Sequence, residues 1–63
     1  MKYKKNQIVR MYGTGDGKGT FWIGAKGRVV SHDKEWDVYT IAPLEFPNER
    51  HPMHSKQLRK VRM

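Results

Sequence analysis

The chain has no cysteine, few prolines and no long apolar run, since its uninterrupted apolar stretches are only two or three residues long. The lack of cysteine excludes a disulfide framework and a thiolate zinc site. The short apolar runs exclude a membrane-spanning helix and the core of a signal peptide. Acidic residues are scarce as well, with 6 against 13 lysines and arginines, so the 63 residues carry a formal net charge of +7. We therefore expect a small, soluble, cytoplasmic protein with a polyanionic partner and no membrane association.

Helical periodicity is also missing, because apolar residues nowhere recur at helical spacing over about ten positions. Short β-branched and aromatic stretches, separated by glycines and aspartates, predict instead a single all-β domain of about five strands that spans residues 1–63. The predicted strands are Gln7–Tyr12, Thr20–Ile23, Arg28–Ser31, Trp36–Ile41 and Arg59–Arg62.

Glycine and serine place the predicted turns. The glycine-rich stretch Gly13–Gly19 predicts a long first loop with Asp16-Gly17 at its tip. Gly24 and Gly27 predict a second turn, in which Gly27 takes a positive φ. Ser55 is expected to begin one short helical turn that precedes the last strand.

Two points are left open by the sequence. Residues 1–6 are basic and polar, and they form either a frayed arm or a lead-in to the first strand. Phe21 and Trp22 are consecutive in a predicted strand, so one of them faces the core and the other faces solvent.

The order of these elements follows a known pattern. A basic strand and a glycine-rich loop precede Gly27-Arg28-Val29-Val30, and a Tyr39-Thr40-Ile41 strand is followed by a polar turn that leads through Leu58 into a basic last strand. Over residues 7–61 the chain resembles the small Src-homology-three-like barrels and, among them, the KOW-type modules of ribosomal proteins and transcription factors. The resemblance implies a five-stranded barrel whose first and last strands pair. It also implies inward-pointing side chains at Val9, Met11, Val29, Tyr39, Ile41, Leu58 and Val61.

The glycine cluster does not match a nucleotide-binding loop. A Walker loop requires Ser or Thr and then a helix, whereas Gly17-Lys18 is followed by Gly19 and a predicted strand. Gly13-Thr14-Gly15 lacks the third glycine of the dinucleotide motif. We predict instead a hairpin loop that orders on binding, with Lys18 able to reach a phosphate.

Catalytic and metal-binding patterns are equally weak. Ser31-His32-Asp33 is consecutive, so in an extended chain its side chains alternate between faces and do not form a triad. His51 and His54 are predicted to be surface residues of a loop, without the further ligands that zinc requires. The acidic residues within 33–37 are predicted to form a solvated edge.

One family of enzymes uses a barrel of this kind. The type II dihydrofolate reductases resemble this chain in length and strand order, but their active pore depends on a Val-Gln-Ile-Tyr strand. The corresponding region here, Glu45-Phe46-Pro47-Asn48, lacks that strand. We therefore expect the protein not to be an enzyme, and we predict no catalytic residue, no metal site and no cofactor.

The charges are segregated along the chain. Residues 1–32 carry seven basic and one acidic side chain, residues 33–50 carry two and five, and residues 51–63 carry four and none. Paired terminal strands would crowd like charges, and this destabilising arrangement suggests a partner of opposite charge. Aromatic residues near the glycine-rich loop are suited to stacking on bases. We predict a nucleic-acid-binding surface formed by Lys2, Lys4, Lys5, Arg10, Tyr12, Lys18, Phe21, Trp22, Lys26, Arg28, Lys56, Arg59, Lys60 and Arg62.

A second hypothesis belongs to a different class. The chain would then be a protein-interaction module, such as a phage- or plasmid-type accessory protein that docks on a host factor. Its contact site would be the acidic segment, residues 33–50, with Trp36 and the stretch Pro43–Pro47. Exposed aromatic residues beside the basic surface favour nucleic acid, of which the sequence does not distinguish DNA from RNA, and those beside the acidic segment favour a protein.

Overall fold

The computed structural model describes residues 2–14 and 21–61. Within these two segments the predicted all-β fold is confirmed, because the chain forms five antiparallel strands in one sheet, with a 3₁₀ turn before the last strand. No helix there is long and apolar enough to cross a membrane. The elements are β1 (Ile8–Gly13), β2 (Trp22–Asp33), β3 (Val38–Pro43), β4 (His51–His54), the 3₁₀ turn (Ser55–Gln57) and β5 (Leu58–Lys60).

The sheet surrounds a single core without closing into a barrel. Its strand order is β4-β3-β2-β1-β5, so the 3₁₀ turn connects the two edge strands. The predicted pairing of the first and last strands is confirmed, with Val9 of β1 opposite Lys60 of β5 and Met11 opposite Leu58. This arrangement is compatible with a Src-homology-three-like fold.

The core contains most of the side chains that the resemblance implies should point inward. Six of them have no exposed surface: Val9, Met11, Val29, Tyr39, Ile41 and Leu58. Val61, the seventh, is half-buried and follows the end of β5. Tyr3, Trp22 and Met53 complete the core.

Residues 2–6 are a packed lead-in to β1 and not a frayed arm. The Tyr3 side chain is buried, and its hydroxyl donates to the carbonyl of Leu58 at 3.1 Å. The amide of Tyr3 donates to the hydroxyl of Tyr39 at 3.1 Å. Burial raises the pKa of the Tyr3 phenol above its ordinary value. The amide of Asn6 donates to the carbonyl of Val29 at 2.7 Å, which extends the contact with β2.

The predicted turn between Gly24 and Gly27 is wrong, because β2 runs through both glycines. Gly24 has a φ of +77° and is the extra residue of a β-bulge, since the register between β1 and β2 shifts there. Gly27 does not have the predicted positive φ. Glycine is required at that position for another reason: a Cβ atom would collide with Cγ2 of Ile41 in the neighbouring strand.

Two other predicted boundaries are wrong. Trp36 lies in the turn of residues 34–37 instead of the following strand. His51 and His54 are half-buried residues of β4 and not loop residues. Pro52 is tolerated between them because β4 is an edge strand, where a missing amide donor need not break the sheet.

Candidate nucleic-acid interface

The outer face of the sheet, opposite the core, carries a line of cations. In β1, Val9 and Met11 point into the core, so Arg10 between them points outward. Residues directly opposite in adjacent strands share a face of the sheet. Arg10 lies opposite Arg59 of β5 on one side and opposite Lys26 of β2 on the other. We call Arg59, Arg10 and Lys26 the cationic row.

In the described segments no carboxylate lies within ion-pair distance of a residue of the cationic row. Adjacent strands are about 4.8 Å apart, so the row extends over roughly 10 Å. Within residues 2–14 and 21–61 the ion pairs are His32 with Asp37 and His51 with Glu49, and neither involves a lysine or an arginine. Like charges directly opposite each other destabilise a sheet. The row is therefore an unfavourable arrangement that no ion pair in these segments offsets, although Glu45 lines the same cleft as Lys26.

Backbone carbonyls hold the two arginines of the row in place. Nη1 of Arg10 donates to the carbonyl of Gly24 at 2.8 Å, at the bulge in β2. Nη1 of Arg59 donates to the carbonyls of Lys56 at 2.9 Å and Leu58 at 2.8 Å. A guanidinium has five N–H donors in a planar fork. Both groups are thus oriented through one nitrogen, while the other nitrogens are suited to a ligand.

A second line of side chains lies beside the cationic row. Tyr12 follows Arg10 by two residues on β1 and lies opposite Ile23 of β2, so both share the outer face. Tyr12 is 39% exposed and Ile23 is 78% exposed. The Tyr12 side chain packs against Gly24: a Cβ atom on Gly24 would be 3.5–3.8 Å from three atoms of the tyrosine side chain. Phe21, 66% exposed, immediately precedes β2. We call Tyr12, Ile23 and Phe21 the apolar row.

Trp22 does not belong to this surface, although the sequence made it a candidate. It is 9% exposed, and its ring packs edge-on against His51 with the centroids 5.2 Å apart. The choice between consecutive aromatic residues is therefore resolved: Trp22 lies in the core, and Phe21 faces solvent. An indole that is 9% exposed offers little surface on which a base could stack.

The remaining predicted basic residues differ in position. Arg28 follows Lys26 by two residues on the same face, and its Nη1 donates to Oδ1 of Asn6 at 2.7 Å. Lys60 lies opposite the core residue Val9, so it is exposed on the other side of the sheet from Arg59. Exposed lysines that the strand register does not bring into the row are Lys2, Lys4, Lys5 and Lys56. Lys18, Arg62 and the loop tip Asp16-Gly17 lie outside the described residues.

Asp37, in the turn that follows β2, has a side chain that is 49% exposed, in line with the predicted solvated acidic edge, but its carboxylate is also hydrogen-bonded. Its carboxylate accepts a hydrogen bond from Oγ of Ser55 and lies 2.9 Å from Nε2 of His32. Its carbonyl accepts from the amide of Ser55 at 3.2 Å. The hydrogen bonds from Ser55 first and His32 second hold the pKa of this carboxyl below its ordinary value. Asp37 therefore links the 3₁₀ turn to the turn between β2 and β3.

The Asp37 cluster does not have the geometry of a nucleophilic site. The carboxylate lies between the hydroxyl of Ser55 and the ring of His32, so the histidine has no contact through which it could deprotonate the serine. In the part of the chain that the structure describes, no three histidine, aspartate or glutamate side chains are placed to hold a metal ion.

Exposed aromatic residues occur in both candidate regions. Tyr12 and Phe21 lie beside the cationic row, whereas Trp36, 68% exposed, lies in the acidic segment. An open cleft of about 630 Å³ adjoins Trp36 and is lined also by Ser31, His32, Asp33, Lys34, Val38 and Thr40. The position of exposed aromatics therefore does not by itself discriminate between a nucleic acid and a protein partner.

Comparisons with known proteins identify no relative: no family model matches the chain, and no curated protein or solved structure matches it significantly. The interface must therefore be argued from its geometry. Two of its parts, Ile23 and the carbonyl of Gly24, were missed by sequence reasoning. The available signal was a glycine inside an apolar stretch, which indicates a bulge at least as well as a turn.

Proposed function

We propose that this protein is a non-enzymatic module that binds nucleic acid, mainly through the phosphate backbone, on the outer face of β5, β1 and β2. The observation that carries the proposal is the cationic row, in which Arg59, Arg10 and Lys26 lie directly opposite one another without a carboxylate partner in the described segments. A bound anion would relieve the repulsion within the row. Guanidinium groups are well matched to phosphate oxygens in charge and geometry.

The length of the row favours a polymer over a single anion. A line of cations that extends over roughly 10 Å is longer than one phosphate group, so several linked phosphates are needed to neutralise it. Binding such a polymer also releases its condensed counterions, which supplies affinity without reading a base sequence. The net charge of +7 adds long-range attraction for the same partner.

The direct test is a binding titration with duplex DNA, single-stranded DNA and RNA at about 50 and 200 mM salt. Three phosphate contacts should give slopes of log affinity against log salt of roughly −2.7 for a duplex and −2.1 for a single strand. Failure to bind any of the polymers at the lower salt concentration, or a slope near zero, would contradict the proposal.

A charge reversal on the row tests where binding occurs. Arg59→Glu should weaken binding and flatten the salt slope, because it removes one phosphate contact and adds a repulsive carboxylate. Lys34→Glu is the matched control, since it changes the net charge equally in the exposed turn before β3. Equal losses of affinity in the two variants would mean that net charge alone matters, and the row would then have no special role.

We also propose that the module is related to the KOW-type Src-homology-three-like barrels. The features that support this relation are the pairing of β1 with β5 and the 3₁₀ turn before β5. An experimental structure whose strands closed in a different order would contradict it.

A second candidate function is docking of a protein partner at the acidic segment. The observation that favours it is Trp36, which is 68% exposed beside a cleft of about 630 Å³. A large exposed indole is typical of residues that dominate protein interfaces. In this case a partner protein should be retained by the wild-type chain and lost with Trp36→Ala, while nucleic-acid binding is unaffected.

A further inference from the structure

Two parallel lines of side chains on the outer face indicate whether a single-stranded or a duplex nucleic acid fits that face. The cationic row runs across β5, β1 and β2, and the pair Tyr12 and Ile23 runs beside it across β1 and β2. The two lines are separated by two residues of β1, which is about 7 Å. One line is charged and the other is apolar and aromatic.

We infer that the partner is a single-stranded polynucleotide, whose phosphates lie on the cationic row while its unpaired bases stack on the apolar row. A single strand has the same division, with phosphates along one side and bases along the other. In a duplex the bases are already paired and stacked, so Phe21, Ile23 and Tyr12 would have nothing to contact. This inference rests on the proposed function and adds the class of partner to it.

The exposure of the apolar row supports the inference independently of charge. Phe21 and Ile23 are 66% and 78% exposed; Ile23 lies opposite Tyr12, and Phe21 immediately precedes β2 at the same end of the strand. Phosphate binding alone requires no apolar side chains beside the cations. Base stacking does require them, and aromatic rings among basic residues are typical of proteins that bind single strands without sequence preference.

The Gly24 bulge connects the two rows. The carbonyl of Gly24 accepts a hydrogen bond from the guanidinium of Arg10 at 2.8 Å, and the Tyr12 side chain packs against the same glycine. One residue therefore orients a cation of the first row and seats the ring of the second. A strand without the bulge would place neither group in this way, because the positive φ of Gly24 is what shifts the register.

The experiment compares an oligo-dT single strand, an oligo-rU single strand and a dA·dT duplex of equal length, with wild-type protein and four variants. Phe21→Ala and Tyr12→Leu remove aromatic faces, the latter keeping bulk over Gly24. Arg59→Glu disrupts the cationic row. Trp36→Ala is the matched control, because it removes an equally exposed aromatic residue from the acidic segment. Melting temperatures confirm that each variant is folded.

We expect both single strands to bind more tightly than the duplex. Phe21→Ala and Tyr12→Leu should each lower single-strand affinity roughly 5- to 150-fold, with the salt slope and the duplex affinity unchanged. Trp36→Ala should have no effect. Comparing dT with rU distinguishes DNA from RNA as the source of the strand.

Different results would contradict the single-strand inference and the proposed function. Duplex affinity equal to or above that of the single strands, or full affinity in both aromatic variants while Arg59→Glu binds weakly, would overturn the single-strand inference alone. Absence of binding to every polymer, or full affinity in Arg59→Glu, would overturn the proposed function and this inference together.

Discussion

The two ends of β2 lie in regions whose charged side chains are arranged differently: cations lie side by side in one region, and a carboxylate is hydrogen-bonded in the other. At the end that starts with Trp22, β2 pairs with β1, and the side chains of Lys26, Arg10 and Arg59 lie opposite one another without acidic partners in the described segments. At the end that finishes with Asp33, β2 is followed by a turn in which Asp37 is hydrogen-bonded to Ser55 and lies against His32.

The difference separates groups that stabilise the fold from groups suited to a partner. Ser55 and His32 engage the Asp37 carboxylate, so this region gains stability from its charge, whereas Nδ1 of His32 is buried without a hydrogen-bond partner in the described segments. The cationic row loses stability through its own repulsion, and an anionic partner would reverse that loss. Each region can be perturbed while the other serves as its control.

The largest effect is expected where the two regions join. Gly27 lies opposite Val9 of β1 and Pro43 of β3, and a Cβ there would collide with Cγ2 of Ile41. Gly27→Val should destabilise the protein by about 1–3 kcal/mol or more, because the core must be displaced to accept an isopropyl group. A small domain has only a few kcal/mol to lose, so much of this variant should be unfolded.

Urea denaturation followed by circular dichroism measures this loss. Lys26→Val is the matched control, since it introduces the same side chain one residue earlier, where the outer face is exposed. A wild-type unfolding midpoint in Gly27→Val would show that the contact with Ile41 does not constrain the sheet.

Gly27 also illustrates how much of the fold can be predicted from the sequence. The resemblance correctly implied that Val9 and Met11 face the core, and their alternation with Arg10 agrees with it, because that pattern is local and periodic. The role of glycine was not predictable in the same way. A glycine in a strand fits a turn, a bulge or a close packing contact equally well, and only the position of Ile41 in another strand distinguishes them.

The second largest effect is expected from Asp37 in the acidic segment, and it concerns the dependence of stability on pH. Because the folded pKa of Asp37 is depressed below its ordinary value of 3.8, ionised Asp37 stabilises the folded state. This contribution is fully present above pH 3.8 and is lost as the pH falls through the lower folded pKa. Asp37→Asn should therefore lower the melting temperature at neutral pH and reduce the loss of stability on acidification.

Thermal melts at neutral pH and in steps below pH 4 measure both changes. Glu35→Gln is the control, because it neutralises an exposed carboxylate in the same turn. If Asp37→Asn and wild type lost stability in parallel as the pH fell, Asp37 would not be the linked group.

The candidate interface was predictable in composition but not in arrangement. Charge counts along the chain indicated a basic surface, and the pairing of the first and last strands indicated which cations meet. The strand register determines which cations lie in the row, because it places Arg59 opposite Arg10 and its neighbour Lys60 on the other side of the sheet. The choice between Phe21 and Trp22 stayed open because a strand's inward phase depends on the bulge at Gly24, which a linear pattern does not reveal.

A smaller effect is expected for Arg59→Glu, which should change the stability of the fold and the affinity for nucleic acid in opposite directions. Arg59→Glu places a carboxylate opposite Arg10, and opposite charges across antiparallel strands contribute roughly 0.2–1 kcal/mol. The variant should therefore unfold at a slightly higher urea concentration than wild type while binding nucleic acid more weakly. Loss of both stability and affinity would mean that Arg59 acts through its contacts with Lys56 and Leu58 and not through repulsion.

The smallest effect is the dependence of stability on salt, which should come from the cationic row and not from the Asp37 region. Sodium chloride at about 1 M shortens the screening length to about 3 Å, so it weakens the repulsion within the cationic row. Wild-type protein should become slightly more stable in urea melts as salt is added. Arg59→Glu should show a reduced or inverted response, because screening then weakens an attraction between Glu at that position and Arg10. Asp37→Asn should retain the wild-type response, since the hydrogen bonds of Asp37 are too short for salt to screen.

A wild-type response in Arg59→Glu would mean that the salt effect comes from the net charge of +7 as a whole, and the row would then be no more repulsive than the rest of the surface.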